Sequence, residues 1–415
     1  MSIRKKIPLL GADKFIMALE YHDKYIGSTG NICQYIMEIE PNFNEENFIK
    51  ELKENSIIQW LSKLFLISKN SNYWKVLKTN KSLVNVKIHK HLYYSDLKRK
   101  NINIYEPPLF HFEIFKKEKN KTTIVLSWHH ILMDEYGANL LINNLVNPIK
   151  IKSINRQKSK LNFKTIIKSI KAKNFLNETS KGEIALMASS KSNSLTQNTS
   201  ITLFTEEETK KITKNAKLNG DIFGTSSYLL AATSIALNKY RVRENLPIKD
   251  FWVPIPKNNR KKGENWPILG NHISFLFYRL KKEEFLCIKN LTKSIVKQMT
   301  HQIQKDNTTN FNHLMNFLRN ISPKTYSKLI KGPNGEDLSS FLFTVASIDN
   351  KEVDTFFDGK IINQYSIPPN PYPPGLTFSF NFFKKQLNLT VQSYREVIDD
   401  KKIKKLETDL KEILI

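Results

Sequence analysis

Residues 122–134 read TTIVLSWHHILMD, an apolar run that ends on two histidines, His129 and His130, with a carboxylate, Asp134, four residues after the second. β-Branched and large apolar side chains fill Thr122 to Trp128 after the turn-like stretch Lys116 to Lys121, a pattern that predicts a buried strand. Downstream, Tyr136, Leu140, Leu141 and Leu145 recur at helical spacing. The histidines therefore sit where a strand hands over to a helix, a junction that presents side chains to a cleft on a rigid scaffold.

The chain has 415 residues, beyond the size at which one core usually keeps growing, so two domains with a cleft between them are expected. A hydrophobic fraction of 40% supports packed cores, and 13 Gly with 16 Pro are too few for a fibrous or disordered protein. Cys33 and Cys287 have no CxxC spacing and no His cluster around them, which argues against a zinc site or disulfide framework and fits a reducing compartment. The basic start Arg4, Lys5, Lys6 precedes an apolar run too short for a signal peptide, and no stretch approaches the length of a membrane span; the expected setting is cytoplasmic. The net charge of +26 has two readings. Lys, Asn and Ile abound throughout, as an adenine- and thymine-rich coding sequence produces without a ligand, and this reading is preferred. The other is a positive field that gathers coenzyme A phosphates, an acidic carrier protein, anionic lipid headgroups or nucleic acid. Zinc-finger spacing, RNP-type strands and dense Arg/Lys tracts are missing, so nucleic acid is not expected.

The order of elements predicts an α/β fold. Residues 1–155 mix helices and strands, with Asn44 to Asn55 helical and Val84 to Leu92 and Leu109 to Phe115 extended. Residues 156–200 turn to Lys, Ser, Asn and Gln and read as a crossover linker. Within it Phe163, Ile166, Ile167 and Ile170 share one helical face and Lys164, Lys168 and Lys171 another, which fits peripheral contact with an anionic membrane or packing on the protein itself. Residues 201–415 form the second half: a strand Ser200 to Phe204, a helix capped by Thr205, a second helix Ser226 to Tyr240, strands Phe251 to Pro256 and Ile273 to Leu280, two extended runs in Leu376 to Tyr394, and a last helix Lys401 to Ile415.

An imidazole titrates near working pH, which suits removal of a proton from a hydroxyl or amine as it attacks a carbonyl. If the strand continues through both histidines they face opposite sides, and parity alone does not choose between them. Asp134 would fix the backbone or pair with an arginine. His89 and His91 share a face, but no carboxylate or cysteine cluster completes a metal set.

With its flanks, the segment resembles the HHxxxDG superfamily of acyl-CoA-dependent acyltransferases, which includes chloramphenicol acetyltransferase, plant BAHD enzymes, condensation domains of peptide synthetases, wax ester synthases and mycobacterial polyketide-associated acyltransferases. Pro108-Leu109-Phe110 looks like the block before the active strand, and His129, His130 and Asp134 match the core motif. Val253-Pro254 through Arg260, Gly270-Asn271-His272-Ile273-Ser274, Thr344 to Ser347 and Pro374-Gly375-Leu376 follow in the family's order, so the blocks span nearly the whole chain. The resemblance implies two chloramphenicol acetyltransferase-like subdomains, each a mixed sheet with flanking helices, and an active-site tunnel between them. It implies His130, His129 and Asp134 as the catalytic set, with His130 as general base and Asp134 structural, paired to Arg279 or Arg260. Oxyanion donors would come from Ser347, Asn271 or Thr344. Acyl-CoA, or a phosphopantetheine thioester on an acidic acyl carrier protein, would be the co-substrate, with no permanently bound cofactor and no metal. The acceptor would be a small molecule or lipid carrying a hydroxyl or amine, ester formation being favoured over amide formation, and the acyl group not an amino-acyl group.

Glu135 stands where the family has glycine, and Gly137 is expected to supply the lost freedom and to line the substrate site. The BAHD motif D-F-G-W-G is missing, and Ile348-Asp349-Asn350 replaces the N-V-P-G-P stretch of wax ester synthases. Two alternatives stay open: a binding protein of the same fold that has lost catalysis, motivated by Glu135, and a basic membrane-surface protein.

Overall fold

The computed structural model describes residues 7–20, 27–28, 30–96, 99, 101–147, 162–187, 194–260, 268–331, 339–347 and 353–415. The basic residues 4–6 and the stretch 348–350 lie outside them, as does the side chain of Ser347.

The strand Thr122–His129 lies inside a six-stranded sheet, and all eight of its residues are buried. A strand covered on both faces reads as a continuous apolar run, which is why residues 122–128 show no alternation. Its neighbours are Ile32–Ile39 and Phe110–Phe115, both antiparallel; Val86–His89 joins the far edge in parallel. On the other side Gly359–Ile367 crosses from the late part of the chain to pair with Ile32–Ile39, followed by Thr355–Phe356 at the edge. Residues far apart in sequence thus share one sheet.

A second, four-stranded sheet runs in the order Leu342–Ser347, Leu376–Phe383, Gln386–Tyr394, Gln197–Leu203, the first pair parallel and the rest antiparallel. Helices Ser226–Arg243 and Asp400–Leu414 pack together against this half. The helix Glu206–Leu218 starts as the sequence predicts: the Thr205 hydroxyl accepts from Glu208 N while the Glu208 carboxylate accepts from Thr205 N.

Between the halves stands the antiparallel pair Phe251–Asn258 and Ile273–Leu280, with Trp252, Phe275 and Phe277 on it. It meets the helices Gly11–Glu20, Phe163–Thr179 and Asn307–Leu318 in an aromatic cluster, where Phe277 and Phe311 lie 4.9 Å apart at their centroids and Phe15 and Phe275 5.2 Å. The crossover segment whose apolar and basic residues share helical faces is a 17-residue helix, Phe163–Thr179. It packs on Asn307–Leu318, and its buried residues are the small Ser169 and Ala172. Its apolar stripe does not enter the core: Phe163 is 77% exposed and Ile170 54%.

Candidate active site

The strand ends on His129, and the chain turns before the helix Glu135–Val146 begins. That turn separates the two histidines. His129 is fully buried; its Nδ1 accepts from Ile131 N at 3.2 Å and its Nε2 lies 3.3 Å from Glu20 Oε2. It braces the turn and does not reach the cavity described below, so its assignment to catalysis is corrected to positioning. His130 instead lines that cavity. Its backbone N–H donates to Asn31 O at 2.7 Å, and its Nδ1 lies 3.3 Å from Met133 O. A carbonyl can only accept, so Nδ1 carries the hydrogen and Nε2 keeps the lone pair. Burial pulls the imidazole pKa below its usual value; the Asp134 charge opposes this without overcoming it. This shift favours the neutral ring.

Asp134 caps the following helix, Oδ1 accepting from Gly137 N at 3.0 Å, and its Oδ2 accepts from His272 N at 2.9 Å. Arg260 closes the site with two parallel bonds, Nη1 to Oδ2 at 2.7 Å and Nη2 to Oδ1 at 2.8 Å, and its guanidinium lies over the Tyr136 ring. Burial alone would raise the Asp134 pKa, but Arg260 and the two backbone donors hold it below the ordinary carboxylate range. Of the two arginines proposed for this pair, Arg279 is excluded: its Nε donates to Asp250 Oδ2 at 2.8 Å. A backbone bridge joins the same halves, Gly270 N donating to Leu132 O at 2.6 Å, with Gly270 at φ +90°, which disfavours a side chain.

Asn271 is not a free oxyanion donor. Its amide nitrogen is committed to Asp13 Oδ1 at 3.0 Å and to the carbonyl of His130 at 2.9 Å. Asp13, fully buried in the helix Gly11–Glu20, also accepts from Asn271 N and Leu10 N. That helix therefore holds both histidines, Asp13 through Asn271 and Glu20 directly. Sequence reading missed Asp13 and Glu20, because each lies more than 100 positions from the group it positions.

Gly137 does not line the cavity and its φ is not positive; what it supplies is room. A Cβ there would stand 2.4 Å from Ile268 O and 2.9 Å from Met133 Cβ. The expected role in substrate binding is corrected to close packing. Thr344 lines the same cavity as His130. Ser347 ends the strand Leu342–Ser347.

Glu135, in the motif's glycine position, turns its carboxylate to the hydroxyl of Ser366, whose oxygen also lies 2.9 Å from Asn381 Oδ1. Burial pushes the Glu135 pKa up to about 7, with the nearby Asp134 charge adding and the Ser366 bond opposing. An unfolded glutamate ionises at lower pH, so this group costs stability progressively as pH rises from the ordinary carboxylate range to about 7, and the cost is constant above. Glu135→Gln should raise the thermal midpoint relative to the parent at pH 8 and converge with it at pH 4. Parallel midpoint-against-pH curves would contradict this.

His130 sits at the wall of a cavity of about 960 Å³. Phe15, Ile16, Trp252, Phe275, Phe311 and Leu314 are among its lining. Elsewhere His89 Nε2 pairs with Glu113 Oε1 at 2.9 Å and His91 is exposed; among the described residues no group of three His, Cys, Asp or Glu could hold a metal.

Two mixed sheets, a bridging pair and a cavity that meets the second histidine of an HHxxxD segment define the chloramphenicol acetyltransferase-like fold of HHxxxDG acyltransferases. The family model of the condensation domain matches residues 74–332, more than half of the chain, and the chain belongs to that family. Its fold is similar to the TRI3 trichothecene 15-O-acetyltransferase of Fusarium sporotrichioides (TM-score 0.72, 10% identity, 99% of this chain and 94% of that one). It is also similar to the starter condensation domain of rhizomide synthetase RzmA in complex with C8-CoA and Leu-SNAC (0.66, 13%, 99% and 94%) and to SgcC5 of Streptomyces globisporus (0.65, 12%, 98% and 97%). No curated protein sequence matches the chain.

Proposed function

We propose that this chain is an acyltransferase that moves an acyl group from a thioester to a hydroxyl or amine, with His130 as general base and no acyl-enzyme. The observation that carries the reading is the committed Nδ1 hydrogen of His130, which leaves a neutral Nε2 lone pair on a ring lining the cavity. Nε2 takes the acceptor's proton as oxygen or nitrogen attacks the thioester carbonyl. The carbonyl oxygen becomes an oxyanion, for which Thr344 is the candidate hydroxyl donor in the same cavity. Collapse breaks the carbon–sulfur bond, and the imidazolium returns the proton to the departing thiolate. Asp134 and Arg260 hold the turn and do not enter the proton path.

Coenzyme A and carrier-borne phosphopantetheine are both anionic donors that a +26 chain attracts. The resemblance favours ester over amide formation, and two cysteines without CxxC spacing favour a reducing, cytoplasmic setting. Glu135 supports no loss of catalysis, since its carboxylate is taken up by Ser366. The exposed Phe163 and Ile170 beside Lys164, Lys168 and Lys171 support peripheral membrane contact. Co-sedimentation with anionic vesicles should fall in a Phe163→Ser, Ile170→Ser variant; unchanged sedimentation would remove that contact.

Among the described residues no helix is long and apolar enough to cross a membrane.

The reading is tested by thiol release from a panel of acyl thioesters with and without hydroxyl and amine acceptors. Release should require an acceptor. The base must be neutral, and its pKa lies below the usual imidazole value, so kcat/KM should hold its plateau through neutral pH and fall only below the ordinary histidine range. A rate that rises as pH falls through this range would contradict the base.

A further inference from the structure

We infer that the cavity beside His130 takes a long alkyl chain whose reactive end lies at the imidazole; this rests on the acyl-transfer reading and adds the class of substrate. Two observations carry it. The first is the wall. From the helix Gly11–Glu20 come Phe15, Ile16 and Leu19, from the bridging strands Trp252, Phe275 and Phe277, and from later helices Phe311, Leu314 and Tyr326. Trp252 and Phe277 stack at 5.3 Å and Phe15 meets Tyr326 at 6.2 Å, so this part of the wall is made of fixed rings, and polar side chains such as Asn31, Asn177, Ser180 and Thr344 are a minority of the lining. A peptidyl or sugar group placed against these rings would leave most of its donors and acceptors unpaired, at a cost that opposes the gain from burial. An alkyl chain has nothing to strand.

The second observation is size and access. A cavity of ~150 Å³ holds benzene, roughly 25 Å³ per carbon, so a sixteen-carbon chain needs roughly 400 Å³. The cavity of about 960 Å³ has room for it. Four of its lining residues, Ile166, Ile170, Phe317 and Leu329, are themselves exposed large hydrophobics. At these residues the apolar lining reaches solvent, and the exposed Lys173 and Lys181 also line the cavity. An alkyl chain can thus enter over apolar side chains of the same cavity that His130 lines.

The chain can belong to the donor's acyl group or to an alkyl alcohol, and the experiment separates the two. Binding of S-alkyl-coenzyme A thioethers of two, eight and sixteen carbons, and of 1-butanol, 1-octanol and 1-dodecanol, is measured by calorimetry on His130→Ala protein, where no chemistry intervenes. Affinity should rise roughly fourfold per methylene while methylenes are being buried, in the thioether series if the chain is the donor's and in the alcohol series if it is the acceptor's. Affinity independent of length in both series overturns the inference. Leu314→Trp, which shortens the cavity, should move the length of tightest binding to shorter chains; if that variant does not fold, Ile170→Trp at the half-exposed part of the lining serves, with weakened binding of the longest chain expected. No shift in a folded variant also overturns it. Turnover of acetyl thioesters by the intact protein with flat length dependence would sink this inference alone. Length-dependent binding with no turnover of any thioester would sink the acyl-transfer reading instead.

Discussion

Replacing His130 with alanine is expected to lower acyl transfer by roughly 100- to 10,000-fold, the range of a lost general base, with the fold retained. The ring lines the cavity and makes a single 3.3 Å bond to Met133 O, so its removal opens space where solvent or substrate enters. His129 gives the opposite partition. Its ring is fully buried, accepts from Ile131 N and faces Glu20, and His129→Ala leaves a hole and an unpaired N–H in the turn that aims His130. Its main loss should be in stability, read as the denaturant midpoint, with activity falling in step with the folded fraction. If the two variants show the same pattern, the division of labour between the histidines is wrong.

Arg260→Met should be the most destabilising change near the site, by roughly 3–5 kcal/mol. Both partners are almost sealed, with side chains 3% and 5% exposed, so the variant leaves a carboxylate in a dry place with only the N–H groups of Gly137 and His272. The mechanism is loss of the counter-charge, not of a favourable surface pair. Arg260→Lys should recover little, because an ammonium cannot make two parallel bonds or lie flat over Tyr136. Asp134→Asn in the Arg260→Met background removes the stranded charge and should restore part of the midpoint. Equal midpoints for parent and Arg260→Met would show that the pair does not hold the halves together. The same variants report on function, since His272 N and Gly270 N tie the strand Ile273–Leu280 to the turn that presents His130.

What could be read from the residues follows from how local each signal is. Thr122–His129 and Ile273–Leu280 are legible because β-branched and aromatic side chains crowd them. The helix at Glu206 is legible because its cap and first-turn acids lie within four residues. Gly359–Ile367 escapes: it continues the first sheet from the far end of the chain, and its last five residues are all buried, so no alternation marks it. At the site, the motif marks His130 and Asp134, but the choice of Arg260 over Arg279 depends on how two halves meet, 126 positions apart in the chain. Asn271 has the chemistry of an oxyanion donor, and only the neighbouring Asp13 shows that its amide is already spent. Gly137 illustrates the same limit. A glycine that makes room for a neighbouring carbonyl looks in sequence like one that frees the backbone.

The central claim is that His130 presents an unprotonated Nε2 to the cavity at neutral pH, and heteronuclear NMR of the histidine ring nitrogens, assigned by the signal lost in His130→Ala, measures this directly. The expected spectrum shows a hydrogen on Nδ1, a bare Nε2, and titration below the ordinary histidine range. A hydrogen on Nε2, or an imidazolium persisting at neutral pH, would contradict it.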